Sequence, residues 1–390
     1  MPLATEIYQE GLIIPPIKLA RAGKIDESLV ALICRNVRTP EERRGDLASQ
    51  MATHRVGERR LAELAARYGL DRLAQMSDEL LDYSARLTRA RLRAIPAGKY
   101  SFEDFLDDDG VVYEPIRIAV TITAADGELE FDFSGTADAV AGSVNAPAAV
   151  TQSAVYYVVR CLIGNDVPGN AGTFEPVTFE IPEGCVLNPR PPHAVAGGNV
   201  EMSQRVVDVV WGALAEALPE QVPAAGQGTM NNITIGGYDP FRSGPFAYYE
   251  TIGGGSGAGP LRHGASGLHV AMTNTWNTPV EALAFALPFR VERYELRSGS
   301  GGAGRHRGGM GLRRDIALSC PAQITLLTDR RRGRPYGLSG GMPGRGGRNL
   351  VKSNGGWRKL PAKGTISVKA GDVVSVQTPG GGGWGSPIES

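Results

Sequence analysis

Between His263 and Gly309 the chain concentrates side chains able to bind or transform a polar ligand. His263 and His269 come first, then Asn274, Trp276, Asn277 and Glu281. Arg290-Val-Glu292-Arg293-Tyr294-Glu295-Leu-Arg297 and Arg305-His306-Arg307 follow. Such amides, imidazoles and Arg/Glu pairs supply hydrogen-bond donors and acceptors in both directions. They lie between two glycine clusters. Glycine at that density implies backbone held close to something, or many positions with φ > 0, rather than a smooth helix or strand. Two readings stay open: a ligand-facing loop system, or a loop-rich β region with surface Arg–Glu pairs.

Other motifs narrow the chemistry. The five histidines, His54, His193, His263, His269 and His306, form no H-x-H or H-E-x-x-H pair, so a metal site within the chain requires distant ligands. His263 and His269 bracket an expected strand, so one of them could face a site. Gly253-Gly-Gly-Ser256-Gly-Ala-Gly259 misses the G-x-G-x-x-G spacing and leads into no helix that could hold a pyrophosphate. With no Walker A sequence either, the chain is not expected to carry its own ATP site. Gly337-Leu-Ser339-Gly-Gly341 matches G-x-S-x-G, but a nucleophile elbow needs a helix after the serine, and Met342-Pro-Gly-Arg-Gly-Gly347 cannot form one. The arginine run Arg330-Arg331-Arg332-Gly-Arg334 has little aromatic interleaving beyond Tyr336, which favours a subunit interface or surface network over nucleic acid.

The elements that must position these groups can be read in outline. Residues 1–20 are extended and stiffened by Pro15-Pro16. Thr39-Pro40-Glu41-Glu42 predicts a helix capped by Thr39 and Glu42, running to about Tyr68 and stopped by Gly69. Leu47, Met51, Leu61, Leu64 and Tyr68 form its expected buried stripe. Ser77 is expected to cap a second helix reaching about Arg93 and burying Leu80, Leu81, Ser84 and Leu87. Alternation in Ile116–Ile122 and Leu129–Phe133 around Asp126-Gly127 predicts a hairpin. Two buried helices are expected over Val144–Ile163 and Val200–Leu218. Thereafter short strands dominate, at Asn231–Ile235, Ala247–Ile252, Leu268–Thr273, Val291–Leu296, Ile324–Thr328, Thr365–Val368 and Val373–Gln377, with one short helix over Val280–Leu287. The fold class is α+β: a helical N-terminal part, then a glycine-rich, mainly antiparallel β C-terminal half, with two buried helices. The implied domains are 1–95, 96–225 and 226–390.

Bulk properties exclude several classes. Lys+Arg and Asp+Glu both number 41, so no net field draws the chain to nucleic acid or membrane. A 42% hydrophobic content alongside 52 glycines and 26 prolines indicates a folded, turn-rich protein. Four scattered cysteines, no secretory signal at the N-terminus and no apolar run long enough for a bilayer predict a cytoplasmic protein with reduced thiols.

Several stretches together resemble the hydantoinase B/oxoprolinase family. They are Glu6-Ile-Tyr-Gln-Glu10-Gly-Leu-Ile-Ile-Pro-Pro-Ile-Lys18-Leu, Asn36-Val-Arg-Thr-Pro-Glu-Glu-Arg-Arg-Gly-Asp46-Leu, Asp132-Phe-Ser-Gly-Thr and Gly197-Gly-Asn199-Val-Glu201-Met-Ser-Gln-Arg205. Asn274-Thr-Trp-Asn277-Thr-Pro-Val-Glu281, Pro288–Arg297, Gly301–Gly309 and Pro379-Gly-Gly-Gly-Gly-Trp-Gly385 complete the set. The resemblance implies a B-type subunit of an ATP-dependent hydrolase that opens hydantoin- or 5-oxoproline-like rings, in a hetero-oligomer with an A-type partner that holds the ATP. It also implies a divalent metal. The family's His/Asp metal motifs, Gly-Gly-Thr-His-x-x-Asp and His-His-x-Asp-x-Gly-Gly, precede the segment matching Glu6–Lys18 and do not occur here, so the chain is expected to be a truncated or split member. A carboxylase subunit like that of acetone carboxylase and a non-catalytic assembly protein are the alternatives. Given a cyclic-amide substrate, Glu10, Glu201, Asn231, Asn274 and Asn277 are expected to face it, because carboxylates and carboxamides match its donors and acceptors. No residue is assigned as catalytic.

Overall fold

The computed structural model describes residues 3–387, which form two compact units. One comprises Gly11–Thr88 and Val167–Glu175. A minimal hairpin, β1 (Ala20–Arg21) and β2 (Lys24–Ile25), leads into α1 (Glu27–Arg35), whose first turn is capped by Asp26 accepting from the Ser28 and Leu29 amides. Helix α2 (Pro40–Tyr68) has the expected bounds, with proline in its first turn and Gly69 at φ 79° ending it. The Thr39 side chain makes no cap bond, however, and the apolar stripe finds no core: α2 contains no buried residue. Its solvated charges pair along the helix, as in Arg43–Asp46 at 3.0 Å and Arg60–Glu63 at 2.9 Å. Helix α3 (Leu70–Leu92) starts directly after Gly69, so Ser77 lies inside it and donates to the Leu73 carbonyl instead of capping.

The second unit holds 3–10, Arg89–Asp166 and 176–387. Strands β3 (Gly98–Leu106), β4 (Ile116–Ala125), β5 (Glu128–Asp132) and β6 (Val177–Glu180) form a sheet in that order, with β6 parallel to β5 and the rest antiparallel. Asp126 and Gly127, at φ 52° and 83°, make the two-residue turn that the sequence predicts. Two helices, α4 (Ala148–Ile163) and α5 (Ser203–Ala217), pack on each other, and α5 covers β3 and β4. A π-helical turn over Gly198–Met202 leads into α5.

The remainder is a pair of facing antiparallel sheets. Strands β7 (Asn232–Asp239) and β8 (Gly244–Glu250) precede the short α6 (Val280–Ala286). Then come β9 (Phe289–Leu296), β10 (Leu312–Leu318), β11 (Ala322–Leu327), β12 (Arg348–Ser353), β13 (Gly356–Leu360), β14 (Lys363–Val368) and β15 (Val373–Gln377). The orders are β14-β11-β7-β8 and β13-β12-β15-β10-β9. Ile233, Ile235, Ile324 and Leu326 from the first meet Ile316, Val351, Val374 and Val376 from the second in one buried apolar cluster. The strand expected over Leu268–Thr273 is absent. Gly267 and Ala271 take positive φ on either side of a single bridge from Leu268 to Gly254, and the left-handed region is incompatible with an extended strand. The α+β class holds. No helix among the described residues is long and apolar enough to cross a membrane.

The glycine clusters lie backbone on backbone. The Gly381 amide donates to the Gly309 carbonyl at 2.9 Å, Gly255 to Pro379 at 3.0 Å and Ala258 to Gly382 at 2.9 Å. A Cβ on Gly255 would stand 2.0 Å from the Gly309 oxygen, and one on Gly381 1.9 Å from that of Ser256. The glycines that flank the His263–Gly309 stretch therefore hold it close to its own chain.

Candidate functional site

Helix α5 is the element on which the site is built. Its sequence places Gln204, Val207, Asp208 and Trp211 at helical spacing on one face and Arg205 and Asp208 towards an adjacent one, with Glu201 in the π-helical turn just before it. The first face lines a cavity of about 1130 Å³, closed by Tyr157 and Cys161 of α4 and by the loops carrying Ser256, His263, His269 and Asn274. The second face is sunk in a network of charges.

In the cavity wall, the Gln204 amide donates to the Val270 carbonyl at 3.0 Å, tying the His269 loop to α5. His269 Nδ1 lies 3.3 Å from the Thr273 hydroxyl, while its Nε2 is buried with no protein partner. Burial pushes the imidazole pKa down, so the ring is neutral at physiological pH. His263 accepts the Arg307 amide at Nδ1, 2.8 Å away, and packs edge-on to His306 with ring centroids 5.3 Å apart. The lining sets polar groups, among them the charged Asp208, Glu220 and Arg262, around an aromatic and aliphatic floor, which suits a small polar ligand.

Behind this wall, buried Arg205 reaches Asp104 at 2.8 Å and Asp329 at 2.9 Å. Arg330 pairs with Asp104 at 2.6 Å and Asp208 at 2.8 Å, and Lys363 holds Asp329 at 2.8 Å. Burial alone would raise the Asp104 carboxyl, but Arg205 and Arg330 beside it hold it well below the usual carboxylate range. The arginine run, expected as a surface or interface network, is thus partly internal bracing. Carboxylates on β3 and α5 draw Arg330 inward, and Arg331 bonds Asn231 and Asn349 at 2.7 and 2.8 Å. The reason is electrostatic: a buried carboxylate is tolerated only with a hydrogen-bonded partner of opposite charge.

Glu201 sits at the edge of this network. Its Oε1 accepts from the Met230 amide at 3.2 Å and the Asn232 side-chain amide at 2.9 Å, and its Oε2 has no partner. Complete burial, with the Asp329 carboxylate nearby, pushes its carboxyl up to about 8. Burial and the neighbouring carboxylate thus both favour its protonated form.

The five residues expected at a substrate site separate. Glu201 and Asn231 join the same buried region, Asn231 donating to Gln227 at 2.8 Å and accepting from Arg331. Asn277 lies in a different cluster, donating to Glu250 at 2.7 Å and accepting from the Tyr294 hydroxyl at 2.7 Å. Asn274 lines the cavity. Glu10 accepts the Val195 and Ala196 amides, both at 2.9 Å, and so anchors the chain start to the 195–196 turn. Sequence reasoning missed Gln204, Thr273, Asp104, Asp329 and Lys363. Part of the signal was present: charged Arg205 and Asp208 within an otherwise apolar helix demand buried partners. Ser339 lies in a turn at φ 52° with no helix after it, so the nucleophile elbow is not formed. Among the described residues no group of three or more His, Cys, Asp or Glu side chains is disposed to hold a metal ion.

Residues 1–387 match the Hydantoinase B/oxoprolinase family, and the chain belongs to it. It is 37% identical over 415 residues to 5-oxoprolinase 1 of Arabidopsis thaliana, covering 99% of this chain and 31% of that protein. It is 34% identical over 412 residues to the 5-oxoprolinase of Saccharomyces cerevisiae, covering 98% of this chain and 31% of the yeast protein. The structure resembles that of an ATP-dependent caprolactamase from Pseudomonas jessenii with a TM-score of 0.89 and 28% identity, over 98% of this chain and 68% of that one. The chain thus spans about a third of the plant and yeast enzymes and about two thirds of the bacterial one.

Proposed function

We propose that this chain is a B-type component of an ATP-dependent cyclic-amide hydrolase and works beside an A-type subunit. The observation that carries the reading is the likeness to the caprolactamase along nearly the whole chain. An amide is a poor electrophile. Phosphorylating its oxygen with ATP held by the partner makes the ring carbon electrophilic. One water adds there, the nitrogen leaves as the C–N bond breaks and takes up a proton, and a second water releases phosphate from the resulting acyl phosphate. In this reading the present chain supplies the substrate cavity between α4, α5 and the His263–Asn274 loop. Asn274 offers its carboxamide to the ring, while Glu201, Asn231 and Asn277 fix the shape of the surroundings and Glu10 anchors the first residues. Polar groups set in an aromatic and aliphatic lining suit a small polar ring, and the buried charges behind it keep α5 rigid.

The test co-expresses the chain, in the full length its gene encodes, with an A-type subunit, and follows ADP release with hydantoin, 5-oxoproline, caprolactam, and acetone plus bicarbonate. Ring opening coupled to ATP hydrolysis is expected with at least one cyclic amide. Turnover confined to acetone and bicarbonate would move the protein to the carboxylases. A stable complex with no ATP-linked turnover on any substrate would make it an assembly protein.

A further inference from the structure

Helices α2 and α3 belong to a unit with almost no interior. Among the described residues of Gly11–Thr88 and Val167–Glu175, the buried apolar side chains are Val30, Ala85 and Val167. Three small side chains are far less core than a unit of that size needs, and the rest of its apolar surface is open to solvent.

Helix α3 has two apolar faces, and one of them is used. Gly172 lies so close to it that a Cβ there would stand 2.1 Å from the Leu81 oxygen, the Asn170 amide donates to the Ser84 hydroxyl at 2.9 Å, and Ala85 is buried. The second face lies about 120° round the helix. It carries Leu73, Met76, Leu80, Tyr83 and Leu87, at the alternating three- and four-residue spacing of a coiled-coil seam. Nothing among the described residues fills this seam, for Met76, Leu80 and Tyr83 are 39, 48 and 46% exposed. Leu61, Leu64, Tyr68 and Leu70, exposed just before it in the chain, extend the open surface. These seven side chains offer on the order of 700 Å² of surface, close to the roughly 800 Å² per partner that a stable interface buries.

The charges beside the seam indicate what covers it. Glu79 and Arg86 are one heptad apart on the same flank. Glu79 accepts from Gln75 at 2.8 Å and lies 3.6 Å from Arg72, yet 57% of its side chain stays exposed. Arg86 is exposed and pairs with no carboxylate among the described residues. A second α3 running antiparallel, about a two-fold axis between Leu80 and Tyr83, meets both needs at once. It brings each Glu79 beside the Arg86 of the other copy, and it seats Leu80 on Tyr83 and Met76 on Leu87. A surface that fits itself in this way meets the condition for isologous pairing.

We propose that α3 is a homodimer interface, on which two copies of this chain pair antiparallel along the 73–87 seam with Glu79 of each beside Arg86 of the other. The pairing does not depend on which amide the protein opens.

The test is sedimentation equilibrium of the chain in the full length its gene encodes, without an A-type subunit. Wild type should sediment as a dimer and Leu80→Arg as a monomer, with circular dichroism confirming that the variant is folded. Glu79→Arg and Arg86→Glu, made singly on the solvent-exposed flank, each set like charges together twice and should weaken the dimer by about tenfold. Combined, they exchange the signs of both pairs and should bring the affinity back to within a few fold of wild type. The two side chains are about 10 Å apart along their own helix, so a monomer has no source for that rescue. A monomeric wild type would overturn the proposal, as would a dimer indifferent to Leu80→Arg and to both charge reversals, or a double reversal as weak as the single ones. Loss of the A-type subunit from Leu80→Arg with the dimer intact would overturn it too, by assigning the seam to that partner.

Discussion

Replacing Glu201 by glutamine tests the claim that this buried carboxyl is a neutral acid in the folded protein. Its pKa rises from 4.5 to about 8, because burial disfavours the anion and the neighbouring Asp329 carboxylate adds to the penalty. The sign follows from linkage. Below pH 4.5 the carboxyl is protonated in both states and takes nothing from stability. Between 4.5 and 8 the unfolded chain has lost the proton and the folded chain retains it, so stability falls as pH rises. At about 1.4 kcal/mol per pH unit, the loss across the window is on the order of 5 kcal/mol. Glutamine has the shape of the protonated acid and its carboxamide oxygen can still accept from Met230 and Asn232. Glu201→Gln should therefore match wild type near pH 4.5 and exceed it by several kcal/mol at pH 8. Urea or guanidinium midpoints taken across that range, with m-values checked for constancy, provide the assay. Parallel curves for the two proteins would mean that Glu201 is ionised in the fold, held by Lys363 and Arg331, and would refute the reasoning.

Asp104→Asn removes the carboxylate that Arg205 and Arg330 share at 2.8 and 2.6 Å, and two buried guanidinium groups then lose an ionic partner. Denaturant unfolding should register a loss of about 3–5 kcal/mol. Gly381→Ala would place a methyl 1.9 Å from the Ser256 oxygen, where backbone faces backbone on both sides. Its soluble yield and thermal midpoint should collapse, whereas Gly57→Ala, with nothing within 4 Å, should hold or raise α2 stability by up to about 1 kcal/mol. Ser339→Ala should leave ATP-linked turnover of the complex unchanged within experimental error. A loss of turnover with retained folding would reopen the hydrolytic-serine reading that the turn geometry rejects.

Local signals in the chain were enough for the regular elements and the family. Pro40 and Gly69 bracket α2 because a missing amide hydrogen and a positive φ act on their own residues, without reference to anything distant. Asp126-Gly127 specifies its hairpin for the same reason. Periodicity failed where its meaning depends on a partner. The apolar stripe of α2 is real as a pattern, yet nothing buries it, and Leu268–Thr273 reads as a strand although Gly267 and Ala271 turn out of the extended region. The site was less legible still. Asp104, Arg205, the adjacent Asp329-Arg330 and Lys363 come from four separate stretches of the chain, and no spacing rule joins groups that only the closed fold brings into ion pairs under 3 Å. Glycine density announced close approach, but only the tertiary structure decided what approaches: other glycines of the same chain, which leaves the ligand chemistry to the cavity beside α5. Composition and short-range sterics are properties of neighbouring residues and can be read in a line. Charge pairing and cavity shape belong to contacts across the fold and exist only once the chain has closed on itself.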